Sequence, residues 1–159
     1  MQYITVVMPY TSLGEMDMNY TDENRGTIQN EEYAKRIINF GGLRYGNITP
    51  TDIDGVIEYH DTHIVFFEFK YGEAPLPYGQ RVALERIVNN CANAGKQAIL
   101  CVCRHNTPQG QQIDAANTPV SDVYVGGSNG FTGQWIDEQF GRTLKEICDA
   151  FLGINWRNS

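Results

Sequence analysis

Residues 64–69, IVFFEF, are apolar at nearly every position. Side chains alternate faces along a strand, so a half-buried strand alternates polar with apolar. An unbroken apolar run needs cover on both faces, and in soluble domains helices supply it. Residues 97–103, QAILCVC, make the same demand, and residues 121–125 read as a further core strand. Between the first two lies a helical stretch, residues 78–93, with Leu84, Ile87, Val88 and Cys91 on one side. A strand, a helix and a strand imply a right-handed parallel crossover. The expected class is therefore α/β.

The remaining punctuation fits one domain of 159 residues. Residues 3–8 alternate weakly and suggest a short strand; residues 11–25 are polar and read as a loop. A helix is expected over residues 27–40, with Ala34, Ile37 and Ile38 on its apolar face and Gly41-Gly42 as its stop. Residues 107–119 read as a polar loop. Residues 126–133 are glycine-rich without a phosphate-binding pattern, and Trp135 is expected to pack on or near the sheet. Thr143-Leu-Lys-Glu146 is a capping box opening a final helix, with Leu144, Ile147, Cys148, Phe151 and Leu152 at helical spacing. No apolar run approaches the roughly 18 residues of a membrane span. Cys91, Cys101, Cys103 and Cys148 form no C-x-x-C pair and sit among apolar residues, which suggests reduced thiols of a cytosolic protein.

The chemistry concentrates in residues 51–70, TDIDGVIEYHDTHIVFFEFK. Two strands and a turn put Asp52 and Asp54 at the head of the first strand and Glu68 and Lys70 near the end of the second. Glu68 and Lys70, two apart, share a face. Two ionised carboxylates at about 4 Å repel by about 4 kcal/mol at an effective dielectric of about 20. Either one is protonated or a cation sits between them. A surface Glu68–Lys70 pair beside two turn aspartates is the plainer alternative. The site requires an odd-length turn or a bulge: a two-residue loop pairs position 54 with 69, a three-residue loop pairs 54 with 70. The turn 60–63, HDTH, reads as solvated rather than as a metal motif. Glu31 shares the inner face of the first helix, where it is either dipole-stabilised or a further acid of the site. Gln80 heads the apolar face of the next helix. It either caps and fills, or reaches back to the acidic strand end or to a phosphate; the adjacent hairpin favours the second.

The order is thus a helix with an inner acid, an acidic strand, an E-x-K strand, a helix opened by glutamine, and a buried strand. Over residues 30–104 this resembles the PD-(D/E)xK nuclease superfamily, and within it small phage-type and Holliday-junction-resolvase-like endonucleases. Asp54 resembles the family's aspartate because it directly precedes GVIEY, with Asp52 as fallback. Glu68 and Lys70 match the E-x-K element, Glu31 the helical glutamate and Gln80 the helix-opening glutamine. One departure is that Pro50 is adjacent to neither aspartate.

The resemblance implies a restriction-endonuclease-like core: a mixed sheet of four to five strands flanked by helices, in αβββαβ order. It implies Mg²⁺- or Mn²⁺-dependent hydrolysis of phosphodiesters in nucleic acid, with DNA the expected substrate. Asp54 and Glu68 would hold the metal, Glu31 assisting. Lys70 would orient the attacking water or stabilise developing charge, and Gln80 with Arg81 would position the phosphate. A net charge of −7 argues against broad nonspecific nucleic-acid binding. A local basic groove from Arg81, Arg86, Lys96 and Arg104 is compatible with it. The alternative is a nuclease-fold protein without activity, acting as a nucleic-acid- or protein-binding module. A homodimer would suit a junction or a duplex cut on both strands. No G-x-S-x-G elbow, P-loop or G-x-G-x-x-G supports another enzyme class.

Overall fold

The structure, a computed structural model, describes residues 40, 42–137 and 141–154. The expected strand at residues 3–8, the loop 11–25 and the helix 27–40 bearing Glu31 lie outside those residues, Phe40 apart. The chain divides into two compact units, Met1–Asn47 and Ile48–Ser159. The second holds every element described below.

Five strands form one mixed sheet: β1 (Gly55–Tyr59), β2 (His63–Tyr71), β3 (Gln97–His105), β4 (Val120–Val125) and β5 (Gln134–Asp137). Their spatial order is their chain order. Only β2 and β3 are parallel; β1–β2, β3–β4 and β4–β5 are antiparallel. Helix α1 (Tyr78–Asn93) makes the β2-to-β3 connection, and helix α2 (Leu144–Phe151) follows β5. Among the described residues two strands, not the three of the αβββαβ order, precede α1. Glycine punctuation hid β5, which has four residues.

Each face of the sheet has its own core. On one, Val65, Ile99, Cys101, Cys103, Val120 and Val123 pack with Leu144, Ile147 and Cys148 of α2. On the other, Phe66, Ala98, Leu100 and Tyr124 pack with Leu84 and Val88 of α1. This two-sided cover is what the apolar run in β2 requires. The four cysteines are free; burial pushes the Cys103 thiol up to about 12 and the Cys148 thiol to about 11. The Thr143–Glu146 capping box is formed in full. No helix among the described residues is long and apolar enough to cross a membrane.

Two irregularities decide where side chains point. The hairpin loop is His60-Asp61-Thr62, with left-handed φ of 48° at His60 and 58° at Asp61 and Thr62 N–H bonded to the Tyr59 carbonyl at 3.0 Å. Tyr59 therefore pairs with His63 and Gly55 with Phe67. That register runs on toward Asp54 opposite Glu68, where a three-residue loop was expected to bring Asp54 opposite Lys70. The parity is as required, with Lys70 replaced by Glu68. The second irregularity is at Ser121: Val102 pairs with Asp122 but Cys103 with Val120, leaving Ser121 as the extra residue of a bulge. Val120 and Asp122, two apart, thereby serve opposite faces.

The glycine-rich loop after β4 is small for a packing reason. A Cβ on Gly127 would lie 2.1 Å from the Phe131 carbonyl oxygen and 2.3 Å from the Gly133 nitrogen. Its N–H donates to Asn89 Oδ1 at 2.9 Å, tying the loop to α1. Gly127→Ala is expected to lower stability by about 1–3 kcal/mol, the usual range for forced overpacking. Gly79→Ala, in α1 with nothing within 4 Å of its would-be Cβ, is expected to raise it by about 0.4–1 kcal/mol. Urea midpoints of the two variants check the opposite signs.

Candidate metal and phosphate site

The site is built on the end of β2 that lies away from the hairpin turn. Glu68 is 1% exposed, among the most buried side chains described. Its position follows from strand parity: it shares the α1 face with Phe66, whose core it continues, and with Lys70. Lys70 Nζ donates to Glu68 Oε1 at 2.8 Å. Gln80 Nε2 donates to the same oxygen at 2.6 Å. Lys70 also donates to Gln80 Oε1 at 3.1 Å, which closes a three-membered ring of polar groups.

The backbone explains why Gln80 is available. It is the third residue of α1, where a glutamine commonly folds back to the N–H of the capping residue. The capping residue here is Pro77, which has no N–H to give. The glutamine amide instead reaches the sheet, and Gln80 is buried along with Leu84, Val88 and Ala92 on the same side of the helix.

Two exposed carboxylates stand at the mouth. Asp52 Oδ1 accepts from Gln80 Nε2 at 3.2 Å. Asp54 Oδ2 accepts from the Phe69 N–H at 2.7 Å, just beyond the last β1–β2 pair, so a side chain extends the ladder where the backbone leaves it. Gly55 keeps this junction close: a Cβ there would lie 2.2 Å from the Phe67 ring. Asp52 and Asp54 are thus both at the site, by different routes. One is bonded to the Glu68 partner Gln80, the other to the residue after Glu68.

The Glu68 carboxyl is held above the ordinary carboxylate range. Burial is the largest cause and the negative charge of Asp54 adds to it; the Lys70 and Gln80 contacts act the other way. Its second oxygen, Oε2, is buried and has no hydrogen-bond partner. Such a group costs about 1–3 kcal/mol, more when charged, unless something fills the place. An oxygen-seeking divalent cation would be held by that oxygen together with Asp52 or Asp54, a donor set that suits Mg²⁺ or Mn²⁺. Among the described residues no three His, Cys, Asp or Glu side chains already converge on one point.

The four basic residues expected to form a groove do not gather on one surface: Arg81 and Arg104 border a common recess, while Arg86 and Lys96 lie away from it. Arg81, next to Gln80, is bonded to Glu85 at 2.7 Å and lies over the Trp135 ring. Arg104 pairs in register with Lys70, but it donates to the carbonyls of Gly72 and Ala74 and to Ser121 Oγ, pinning the β2–α1 loop. Arg86 is exposed on α1, about 120° round the helix from Gln80. Lys96 is at the other end of the sheet, bonded to Asp61 in the hairpin turn. The turn lies roughly 17 Å along β2 from Glu68. Asp122 was not foreseen as part of this face. The signal was an acid in an apolar strand, two residues before Tyr124 and so on its face.

The chain matches no family model, no curated protein and no solved structure.

The raised Glu68 pKa has a definite stability signature. The folded protein binds this proton more tightly than the unfolded chain, so stability falls as the pH rises from the ordinary value of 4.5 through the raised folded value, and is level above it. In EDTA, wild type is expected to gain stability relative to Glu68→Gln as the pH is lowered from 7 toward 4.5. Urea midpoints at several pH values measure the difference; the opposite trend would mean that Lys70 dominates over burial.

Proposed function

We propose that the chain is a divalent-metal-dependent nuclease of the PD-(D/E)xK type, hydrolysing phosphodiester bonds of nucleic acid, with DNA the first substrate to test. The observation that carries this reading is the half-satisfied Glu68. It is a buried carboxylate with a lysine and a glutamine on one oxygen, nothing on the other, and two exposed aspartates alongside. A purely structural ion pair has no need of that arrangement, since a buried charge with a bare oxygen destabilises the fold. What also supports it is the sheet, with the E-x-K strand interior, parallel to its neighbour across α1 and covered on both faces.

In this reading Glu68 and Asp54 hold the cation, with Asp52 alongside; Glu31, the further acid expected from the sequence, lies outside the described residues. The bound ion would supply charge neutralisation at the phosphate and a lowered pKa for water. Lys70 Nζ, 2.8 Å from Glu68 Oε1, is fixed by two acceptors and can donate its third proton to a phosphate oxygen as negative charge develops there. Gln80 sets the orientation of Glu68 and Asp52 at once through one amide nitrogen. It therefore acts mainly as a positioning residue.

Substitutions that preserve shape test the reading. Asp54→Asn keeps an acceptor for the Phe69 N–H, Glu68→Gln keeps an oxygen for Lys70 and Gln80, and Lys70→Met keeps the aliphatic stem. Each is expected to reduce cleavage of a labelled nucleic-acid panel by about a hundredfold or more, with circular dichroism unchanged. EDTA is expected to abolish cleavage. Mg²⁺ or Mn²⁺ is expected to raise the melting temperature of wild type and leave that of Glu68→Gln flat. Melting that ignores metal in wild type, together with no cleavage of any substrate, would instead favour a binding module on the same fold.

A further inference from the structure

The α1 face of the sheet carries a recess beside the acids. It encloses about 330 Å³, and Leu76, Arg81, Val102, Arg104, Asp122 and Trp135 line it. Val102 is the register partner of Glu68, so the recess opens one strand away from the buried acid, about 4.8 Å. Asp122 is on this face because it alternates with Tyr124 and pairs with Val102.

Its flat surfaces are locked in advance. Trp135 packs on Tyr124 with ring centroids 5.2 Å apart, and the Arg81 guanidinium carbon is 5.0 Å from the Trp135 ring centroid. Arg81 Nε and Trp135 Nε1 both donate to Glu85 Oε1, at 2.7 and 2.6 Å. One carboxylate thus fixes an aromatic plane and a guanidinium plane together.

The chemistry of the lining selects the occupant. A phosphate is disfavoured. Glu85 already neutralises Arg81, Asp122 brings a carboxylate, and Arg104 Nε and Nη1 are committed to Ser121 and to two loop carbonyls. What remains is planar, polarizable surface with a hydrogen-bond acceptor at its edge. A nucleobase matches it, with a π face to stack on the Arg81 guanidinium that lies over the indole, and N–H groups to donate. Bases within a duplex offer only their edges, so a base that stacks here must be unpaired.

We infer that this recess holds an unpaired nucleobase of the strand whose phosphate lies at Glu68. The substrate is then single-stranded, or carries an unpaired nucleotide next to the cut. This substrate assignment rests on the nuclease reading, but its test does not require cleavage.

The test is fluorescence anisotropy of a labelled, unstructured oligonucleotide with the full chain, Ca²⁺ replacing Mg²⁺. An abasic site is moved through the strand one position at a time. One position is expected to weaken binding about tenfold and the others little, as for loss of one stacking contact. Arg81→Lys keeps the charge and loses the plane. It is expected to bind the intact strand about tenfold more weakly and to ignore the sensitive position. Arg81 is half exposed, so the variant leaves the core alone. Equal binding across the abasic series, no binding at all, Arg81→Lys behaving as wild type, or a blunt duplex binding as tightly as the single strand would each overturn the inference. Mg²⁺-dependent cleavage of the same oligonucleotides is read separately. Cleavage without base-dependent binding removes the recess and leaves the nuclease; base-dependent binding without cleavage does the reverse.

Discussion

A carboxylate buried among apolar side chains, with donors on one oxygen and none on the other, is the constraint around which this sheet is arranged. Desolvation opposes charge on Glu68, and Asp54 opposes it further. The counterweight is Lys70, which reaches Glu68 Oε1 because it stands two residues along the same strand face, and Gln80, which reaches it from α1. Removing either donor leaves a group that must protonate or be rehydrated at the expense of the packing around Phe66 and Leu84. The polar cluster and the α1-side core are therefore one energetic unit. The site is rigid because the core beneath it is.

Several features with no chemistry of their own serve that unit. Pro77 withholds an N–H and so frees Gln80. Gly55 lets the Phe67 ring lie against the start of β1, which keeps Asp54 within reach of the Phe69 N–H. Arg104 gathers two carbonyls of the β2–α1 loop, holding fixed the segment that delivers Gln80. The bulge at Ser121 turns Val120 into the α2-side core, while Asp122 keeps the face of Tyr124, where Glu68 lies. Each is a backbone or packing decision whose consequence is the position of a side chain several residues away.

That distance sets what could be read from the sequence. The α/β class was legible from residues 64–69 and 97–103, because an apolar run on both strand faces has few solutions. Helix α1 and the capped α2 were legible because their apolar spacing and terminal residues agree. The Glu68–Lys70–Gln80 grouping followed from parity and helix phase. The pairing partner of Asp54 did not, since it depends on left-handed backbone at His60 and Asp61, which no alternation pattern encodes. Asp122 differs: its strand was legible, but its place beside Glu68 depends on the β3–β4 register, which pairs it with Val102. For Arg81, Arg86, Lys96 and Arg104, closeness in sequence does not give one surface: Lys96 is at the hairpin turn, and Arg104, beside Lys70, donates to loop carbonyls.

The net charge of −7 bears on how such a site could engage a polyanion. Dispersed cations mean that few phosphates are neutralised by side chains, so the counterion-release contribution to affinity is small. Asp52 and Asp54 at the mouth repel a phosphate outright. Under the nuclease reading two contributions remain, a cation held among the acids and a stacking surface on Arg81, whose charge Glu85 offsets. The first makes approach of the phosphate conditional on metal. The second supplies affinity that salt does not screen and that a paired base does not use. An acidic chain with this face would thus discriminate by strand state more than by charge, which is the opposite of a generic basic nucleic-acid binder.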